Sequence, residues 1–303
     1  MDIYLPIAGQ SVNALLIVLL GFLVGLLSGM FGVGGGFLTT PLLIFYGIPP
    51  TVAVASATTQ ITGASVSGAM VHMRRGGVDV KMGGVMIAGG LGGSFVGAGL
   101  FRLLQTTGQI DVVIGFLYVI ILAWIGVLML VDSLKTLGYV SAKPDAGRRP
   151  RHNRWVASLP YRWRFHTSGI YISPVAPLAL GFLAGTLTVL LGIGGGFILV
   201  PAMIYLLGMP ARVVIGTSLL MILAVSAATT MVHALTTRAV DVVLAGLLLV
   251  GGVIGAQYGA LLTLRIKPDL LRLALAIIIL LVALRMLLGL AWRPDEIFSI
   301  EYL

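Results

Sequence analysis

Gly32-Val33-Gly34-Gly35-Gly36-Phe37-Leu38-Thr39-Thr40-Pro41 recurs in the second half of the chain as Gly192-Ile193-Gly194-Gly195-Gly196-Phe197-Ile198-Leu199-Val200-Pro201. Each copy follows a similar apolar run, Gly21-Phe22-Leu23-Val24-Gly25 and Gly181-Phe182-Leu183-Ala184-Gly185. Three glycines in a row do not make a sound helix interior, where each costs about 1 kcal/mol relative to alanine. Two such breaks at matching places in two apolar halves are the pattern of a transporter built from repeats, with its site at the breaks.

Composition places the breaks in a bilayer. The chain is 58% hydrophobic and 10% charged, whereas charged residues make up about 25% of an ordinary soluble domain. Several windows run with almost no charge for long enough to span a hydrocarbon core. The run Val12–Phe31 has no basic segment before it and no small-x-small cleavage site, so it reads as mature protein and not as a signal peptide. Cysteine is absent, which excludes a disulfide framework, a thiolate metal site and a redox dithiol. The net charge of +9 does not imply nucleic acid, because much of it sits in one loop between apolar segments.

The apolar segments read as Val12–Phe31, Gly36–Tyr46, Val52–His72, Met82–Leu103 and Asp111–Val131, then Pro174–Leu191, Gly196–Leu207, Val213–Leu235, Val242–Leu264 and Leu270–Leu290. The expected fold is an all-α polytopic membrane protein. It consists of two inverted-topology repeats of about five helical segments each, with broken or re-entrant short helices at the Gly-Gly-Gly-Phe motifs. Three regions follow: a first transmembrane repeat (1–131), a basic linker (132–173), and a second transmembrane repeat with a polar tail (174–303). The linker holds Lys135, Lys143, Arg148, Arg149, Arg151, Arg154, Arg162 and Arg164, and such a run belongs on the cytoplasmic side. The N-terminus is then periplasmic. Whether the short motif segments cross or return, each half crosses an odd number of times, so the halves have opposite orientation.

The repeat extends beyond the glycines. Val71-His72 matches Val232-His233, and Val78-Asp79 matches Val240-Asp241. Gly89, Gly93 and Gly97 match Gly251, Gly255 and Gly259, and Gly21, Gly25 and Gly29 form a third stripe. Spacing of four puts each triplet on one helix face, where another backbone can approach closely. Packing is the reading for all three stripes.

The chemistry is read from where charge is missing. All ten carboxylates lie in loops, tails or outermost helical turns, so no mid-membrane carboxylate is offered to a cation. The expected cargo is an anion or a neutral solute. The N–H groups freed at the breaks need partners at membrane depth, and helix N-termini favour oxyanions. The expected substrate-binding residues are therefore Gly34, Gly35, Gly36, Gly194, Gly195 and Gly196. Ser56, Thr59 and Gln60 from one half and Thr217 and Ser218 from the other complete the shell. No Lys-Ser or Lys-Thr follows the glycines, so they are not a nucleotide-binding loop. His72 and His233 read as helix caps or a proton relay; no metal site, cofactor or catalytic residue is expected. Arg285, a cation inside an apolar segment, lies near enough to that segment's end to snorkel.

Two copies of Gly-Val/Ile-Gly-Gly-Gly-Phe with a following proline, each succeeded by a Ser/Thr-bearing helix, resemble the sulfite exporter TauE/SafE family. The first copy closes with His72-Met73-Arg74-Arg75-Gly76-Gly77-Val78-Asp79, as in that family. The second, His233 to Asp241, carries one extra residue and lacks the glycine. The resemblance covers both halves and leaves out the basic linker. It implies export of a small sulfur-containing anion, such as sulfite, sulfoacetate or another organosulfonate, across the bacterial inner membrane. The alternative is a membrane receptor or assembly factor whose basic loop docks a partner. Expected partners are a small anionic substrate and the lipid bilayer, with a homodimer as one assembly option and no nucleic acid. Enzymatic motifs are not found: no Gly-x-Ser-x-Gly, no His-Glu-x-x-His and no paired membrane carboxylates.

Overall fold

The computed structural model describes residues 2–31, 34–136, 161–262 and 268–291. Most of the basic linker and the C-terminal tail lie outside these residues. Each half opens with a short antiparallel hairpin: β1 (Asp2–Leu5) with β2 (Gln10–Asn13), and β3 (Trp163–Phe165) with β4 (Ile170–Ile172). In both, a glycine with positive φ closes the turn, Gly9 at +68° and Gly169 at +67°. Each donates its N–H over 2.9 Å to the carbonyl of Leu5 or Phe165. The first pair falls within the region read above as the first repeat, at and before the start of its apolar run Val12–Phe31, and the second falls in the linker. Three or four residues with one or two inward side chains are too few for a period of two to be legible.

The first half continues with α1 (Ala14–Phe31), α2 (Gly36–Phe45), α3 (Pro50–Arg74), α4 (Val80–Thr106) and α5 (Ile110–Thr136). The second follows with α6 (Val175–Leu191), α7 (Gly196–Tyr205), α8 (Ala211–Val232), α9 (Val242–Leu262) and α10 (Pro268–Ala291). Five of these are long and apolar enough to cross a membrane: α4, α5, α8 with its extension, α9 and α10. α1, α2, α6 and α7 are apolar but shorter. The chain is a multi-pass membrane protein. α3 is the polar exception, rich in Ser and Thr, and α2, α8 and α9 pack around it. A helix with many hydroxyls is tolerable in a bilayer when neighbouring helices satisfy them. Here Thr62 Oγ1 donates to Ser226 Oγ over 3.0 Å, and Thr230 Oγ1 donates to Thr58 Oγ1 over 3.1 Å, joining α3 to α8.

The halves are interleaved. α1 packs along α9, and α6 packs along α4. A Cβ added to Gly25 of α1 would lie 2.3 Å from the carbonyl oxygen of Gly252 in α9. One added to Gly185 of α6 would lie 2.0 Å from that of Gly90 in α4. The opposing stripes obey the same rule. Gly251, Gly255 and Gly259 sit against the backbone of Val18, Phe22 and Leu26, and Gly89, Gly93 and Gly97 against Leu178, Phe182 and Thr186. Exchanging the halves turns one crossing into the other. All the glycines expected to pack do so, against backbone and not merely against side chains.

The extra residue in the second copy has a visible consequence. α8 does not end in an ordinary helical turn but passes into a π-helical turn, His233–Thr237, followed by Arg238 at φ +49°. A π turn absorbs one inserted residue while keeping the flanking segments in place, and Asp241 thereby reaches the position that Asp79 holds in the first half.

Candidate functional site

The two glycine motifs are left-handed breaks between helices. α1 ends at Phe31 and α2 starts at Gly36, with Gly34 at φ +85° and Gly35 at φ +70°. α6 ends at Leu191 and α7 starts at Gly196, with Gly192, Gly194 and Gly195 at φ +66°, +73° and +71°. Only glycine adopts this conformation without steric cost, so the repeated glycines follow from the backbone path.

The breaks meet each other. Phe37 and Phe197, the first side chains after the glycines, stack face to face with centroids 4.5 Å apart and planes 4° from parallel. A Cβ on Gly36 would lie 2.3 Å from the carbonyl oxygen of Gly192. Ile61 of α3 and Ile222 of α8 close over both breaks: their Cγ2 methyl groups would lie 3.5 Å from a Cβ added to Gly34, and 2.8 and 3.2 Å from one added to Gly194. Gly34 to Gly36 and Gly194 to Gly196 are all buried. The N-termini of α2 and α7 therefore converge on one enclosed place. Gly36 N–H is taken by the carbonyl of Gly34 at 2.8 Å, and Leu38, Thr39, Ile198 and Leu199 N–H by the carbonyls of Gly35 and Gly195. Among the described residues no acceptor is recorded for the N–H of Gly194, Gly195 or Gly196. Helix-terminal donors of this kind suit an anion. No Lys or Arg is buried among the described residues, so the charge complement at the breaks is that of backbone dipoles.

The side chains named from sequence divide among several places. Gln60 is buried beside the first break. Its Oε1 accepts from Thr39 Oγ1 at 2.8 Å, and its Nε2 donates to the Gly21 carbonyl at 3.4 Å. Thr59 has an enclosed hydroxyl without a partner among the described residues. Ser218 Oγ donates to the Ile215 carbonyl one turn back, over 2.9 Å. Ser56 and Thr217 serve the helix starts of the opposite half. Ser56 Oγ accepts the N–H of Asp241 at 3.2 Å, and Thr217 Oγ1 accepts that of Asp79 at 2.9 Å.

Those two aspartates form a matched pair of clamps. Asp79 caps α4 by accepting from Met82 N–H at 3.0 Å, and its other oxygen accepts from Ser168 N–H and Oγ in the second hairpin, at 3.0 and 2.5 Å. Asp241 caps α9 through Val243 and Leu244 N–H, both 3.1 Å, and accepts from Ile7 N–H in the first hairpin at 3.0 Å. Each is buried, and each fastens the hairpin of the other half. A carboxylate is affordable in such a position only because every bond it accepts is charge-assisted.

The two histidines part company. His233 is fully buried; Nε2 lies 3.1 Å from the Val189 carbonyl, Nδ1 lies 3.3 Å from Thr237 Oγ1, and its ring meets Phe101 edge-on at 4.8 Å. His72 is only half-buried near the end of α3. The hydroxyl of Tyr118, on α5, donates to the carbonyl of Leu191 at the end of α6. Tyr118 and His233 thus fasten two of the last carbonyls of α6, next to the second break. Sequence reading passed over Thr39, Ile61, Ile222 and Tyr118. Ile61 and Ile222 do occupy matching places in the two halves, which was the signal available. Tyr118 has no matching aromatic in the second half.

Comparison with known proteins agrees with this architecture. The family described as Sulfite exporter TauE/SafE matches residues 17–286. The chain is 25% identical over 283 residues to the probable membrane transporter protein YunE of Bacillus subtilis strain 168, covering 90% of this chain and 96% of that protein. It is 28% identical over 276 residues to the probable membrane transporter protein YjnA of the same organism, covering 89% and 98%. Sulfite exporter TauE/SafE family protein 6 of Arabidopsis thaliana shares 44% identity over 55 residues, 18% of this chain and 13% of that one. No solved structure matches the chain.

Proposed function

Because the chain belongs to the sulfite exporter TauE/SafE family and is a multi-pass membrane transporter of that family, we propose that it exports a small sulfur-containing anion across the bacterial inner membrane. Sulfite, sulfoacetate or another organosulfonate is the cargo. The observation that carries the reading is the convergence of both glycine breaks, through the Phe37–Phe197 stack, on one buried place without Lys or Arg. An oxyanion held there would be met by helix N-termini and free N–H groups rather than by a fixed cation, which favours release as well as capture.

In this reading the halves are inverted repeats, and the breaks lie near the bilayer midplane. Three observations support it. α1 and α9 run side by side from the first hairpin, and α4 and α6 run side by side from the second. α3, with 25 residues, leads from one group to the other. The end of α2 returns to the start of α1, where Asn13 N–H donates to the Tyr46 hydroxyl at 3.2 Å, as a re-entrant hairpin would. The hairpin of β1 and β2 then faces the periplasm, and the linker with the hairpin of β3 and β4 faces the cytoplasm.

The proposed binding groups are the N–H donors of Gly34–Gly36 and Gly194–Gly196, that of Gly36 being engaged by the Gly34 carbonyl in this conformation, with Gln60 beside the first break and the unpartnered hydroxyl of Thr59. Ser56, Thr217 and Ser218 belong to the proposed shell as hydroxyls already engaged elsewhere in this conformation. Export suits an anion energetically: one negative charge leaving a negative-inside cell gains about 2.3 kcal/mol per 100 mV. The test is flux from proteoliposomes loaded with sulfite, sulfoacetate or acetate, with and without an imposed potential. Selective efflux of the sulfur anions, quickened by a negative interior, supports the reading. Equal flux of acetate, or none of any anion from folded protein, overturns it.

A further inference from the structure

Away from the breaks, α5 and α10 form the outer pair of helices. They pack on each other and expose large apolar side chains elsewhere, among them Phe116, Trp124, Leu281 and Leu284. Where α5 starts and α10 ends, the pair opens into a pocket of about 380 Å³, a volume in the range of small-ligand sites. Its walls include Phe45, Asp111, Gly115, Arg285, Gly289 and Leu290. Room is left by the two glycines. A Cβ on Gly115 would meet the Leu290 side chain at 3.2 Å, and one on Gly289 would meet Arg285 Nη1 at 3.6 Å.

Among the described residues the pocket lining carries one cation, Arg285, and one anion, Asp111. Arg285 lies inside an apolar span, Leu273–Ala291. Among the described residues, the contact recorded for its guanidinium is with the ring of Phe45, 5.3 Å away. Arg285 is itself exposed and close enough to the end of α10 to reach headgroup level, and a cation–π contact leaves its donor fork free for an oxyanion. Asp111 stands in the first turn of α5 and is exposed. Its carboxylate would repel a purely anionic headgroup but would receive an ammonium.

From this pairing we infer that the pocket binds the headgroup of a zwitterionic phospholipid with a primary amine. The phosphate lies on Arg285 and the ammonium on Asp111, while the acyl chains follow the exposed apolar face of α5 and α10. A quaternary ammonium has no N–H to give Asp111, and a glycerol headgroup has no cation. Pro50 and Phe45 also line the pocket, so the bound lipid braces the α2–α3 joint. α2 is the short helix that begins at the first glycine break. The inference needs only the bilayer setting, so lipid retention and anion flux can fail independently.

The full-length protein is purified in detergent with dioleoylphosphatidylethanolamine or dioleoylphosphatidylglycerol, and the lipid retained per chain is read by native mass spectrometry. Wild type should retain phosphatidylethanolamine in preference to phosphatidylglycerol. Arg285→Gln should lose about tenfold or more in retention, as expected for bonds to a charged group. Asp111→Asn should abolish the preference between the two lipids. Gly289→Leu fills the pocket without touching either charge and decides the matter should Arg285→Gln not fold. Wild-type retention by Gly289→Leu, or phosphatidylglycerol retained over phosphatidylethanolamine in the wild type, overturns the proposal. So does displacement of the lipid by millimolar inorganic phosphate, which would make the pocket a free-anion site.

Discussion

Gly185→Ala adds one methyl group at the crossing of α6 with α4. That methyl would lie 2.0 Å from the carbonyl oxygen of Gly90 and 2.8 Å from its carbon. Ordinary contact between such atoms begins well beyond 3 Å, and the obstacle is backbone, so no side chain can swing aside. The helices must part by about 1 Å or more, loosening the apolar contacts along the whole crossing. Overpacking of this kind costs about 1–3 kcal/mol. Gly99→Ala, at the lipid-facing side of α4, is the control, because its added Cβ meets nothing within 4 Å. There the change should stabilise by about 0.4–1 kcal/mol through a less flexible unfolded chain. The two variants differ from wild type by the same methyl group and should move in opposite directions. Gly25→Ala, facing Gly252 at 2.3 Å, should match Gly185→Ala in sign and size, because it is the same crossing with the halves exchanged. Denaturant titration of purified protein in mixed micelles, followed by circular dichroism, measures all three. If Gly185→Ala proves as stable as Gly99→Ala, the stripes are not close-contact faces. If Gly25→Ala alone is neutral, the two crossings are not equivalent.

Gly195→Ala places a side chain at φ +71° and 2.9 Å from the Ala184 methyl. A left-handed alanine costs about 1–2 kcal/mol, so anion flux in proteoliposomes should fall sharply while the helix content by circular dichroism is kept. Wild-type flux would place the site elsewhere. Asp79→Asn removes the charge from the bonds to Ser168 and Met82 and should cost about 1.5–3 kcal/mol, with faster hydrogen exchange at Ser168 N–H; unchanged exchange would show that the clamp does not hold the hairpin. Ala146→Cys introduces a thiol into a chain that has none, and in intact cells it should resist a membrane-impermeant thiol reagent. Ready labelling would put the linker outside and reverse the proposed topology.

The apolar segments, the duplication and the small-residue faces were all legible in the sequence, because each is written at a fixed spacing within one element. Gly21, Gly25 and Gly29 declare a face by themselves, and the breaks at Gly34–Gly36 and Gly194–Gly196 were legible because successive glycines make a poor helix interior, though their left-handed backbone was not. What those faces touch is a property of two segments far apart in the chain. That α1 lies on α9 rather than on its own neighbours, and that Phe37 stacks on Phe197, follows from how the halves interleave, which no spacing records. The same holds for the polar residues of α3 and α8. Ser56 and Thr217 carry hydroxyls that suit an anion or a backbone N–H equally well, and the partners Asp241 and Asp79, each from the opposite half, decided which they meet in this conformation. The hairpins escaped notice because their strands are too short to show a period of two, and Leu5 and Phe165 are buried by apolar side chains from both halves, Ile17 and Leu248 around the one and Met82 and Met203 around the other. The sequence determines the elements and their faces; only the tertiary structure decides which face answers which, because contacts between distant segments depend on the packing of the whole bundle.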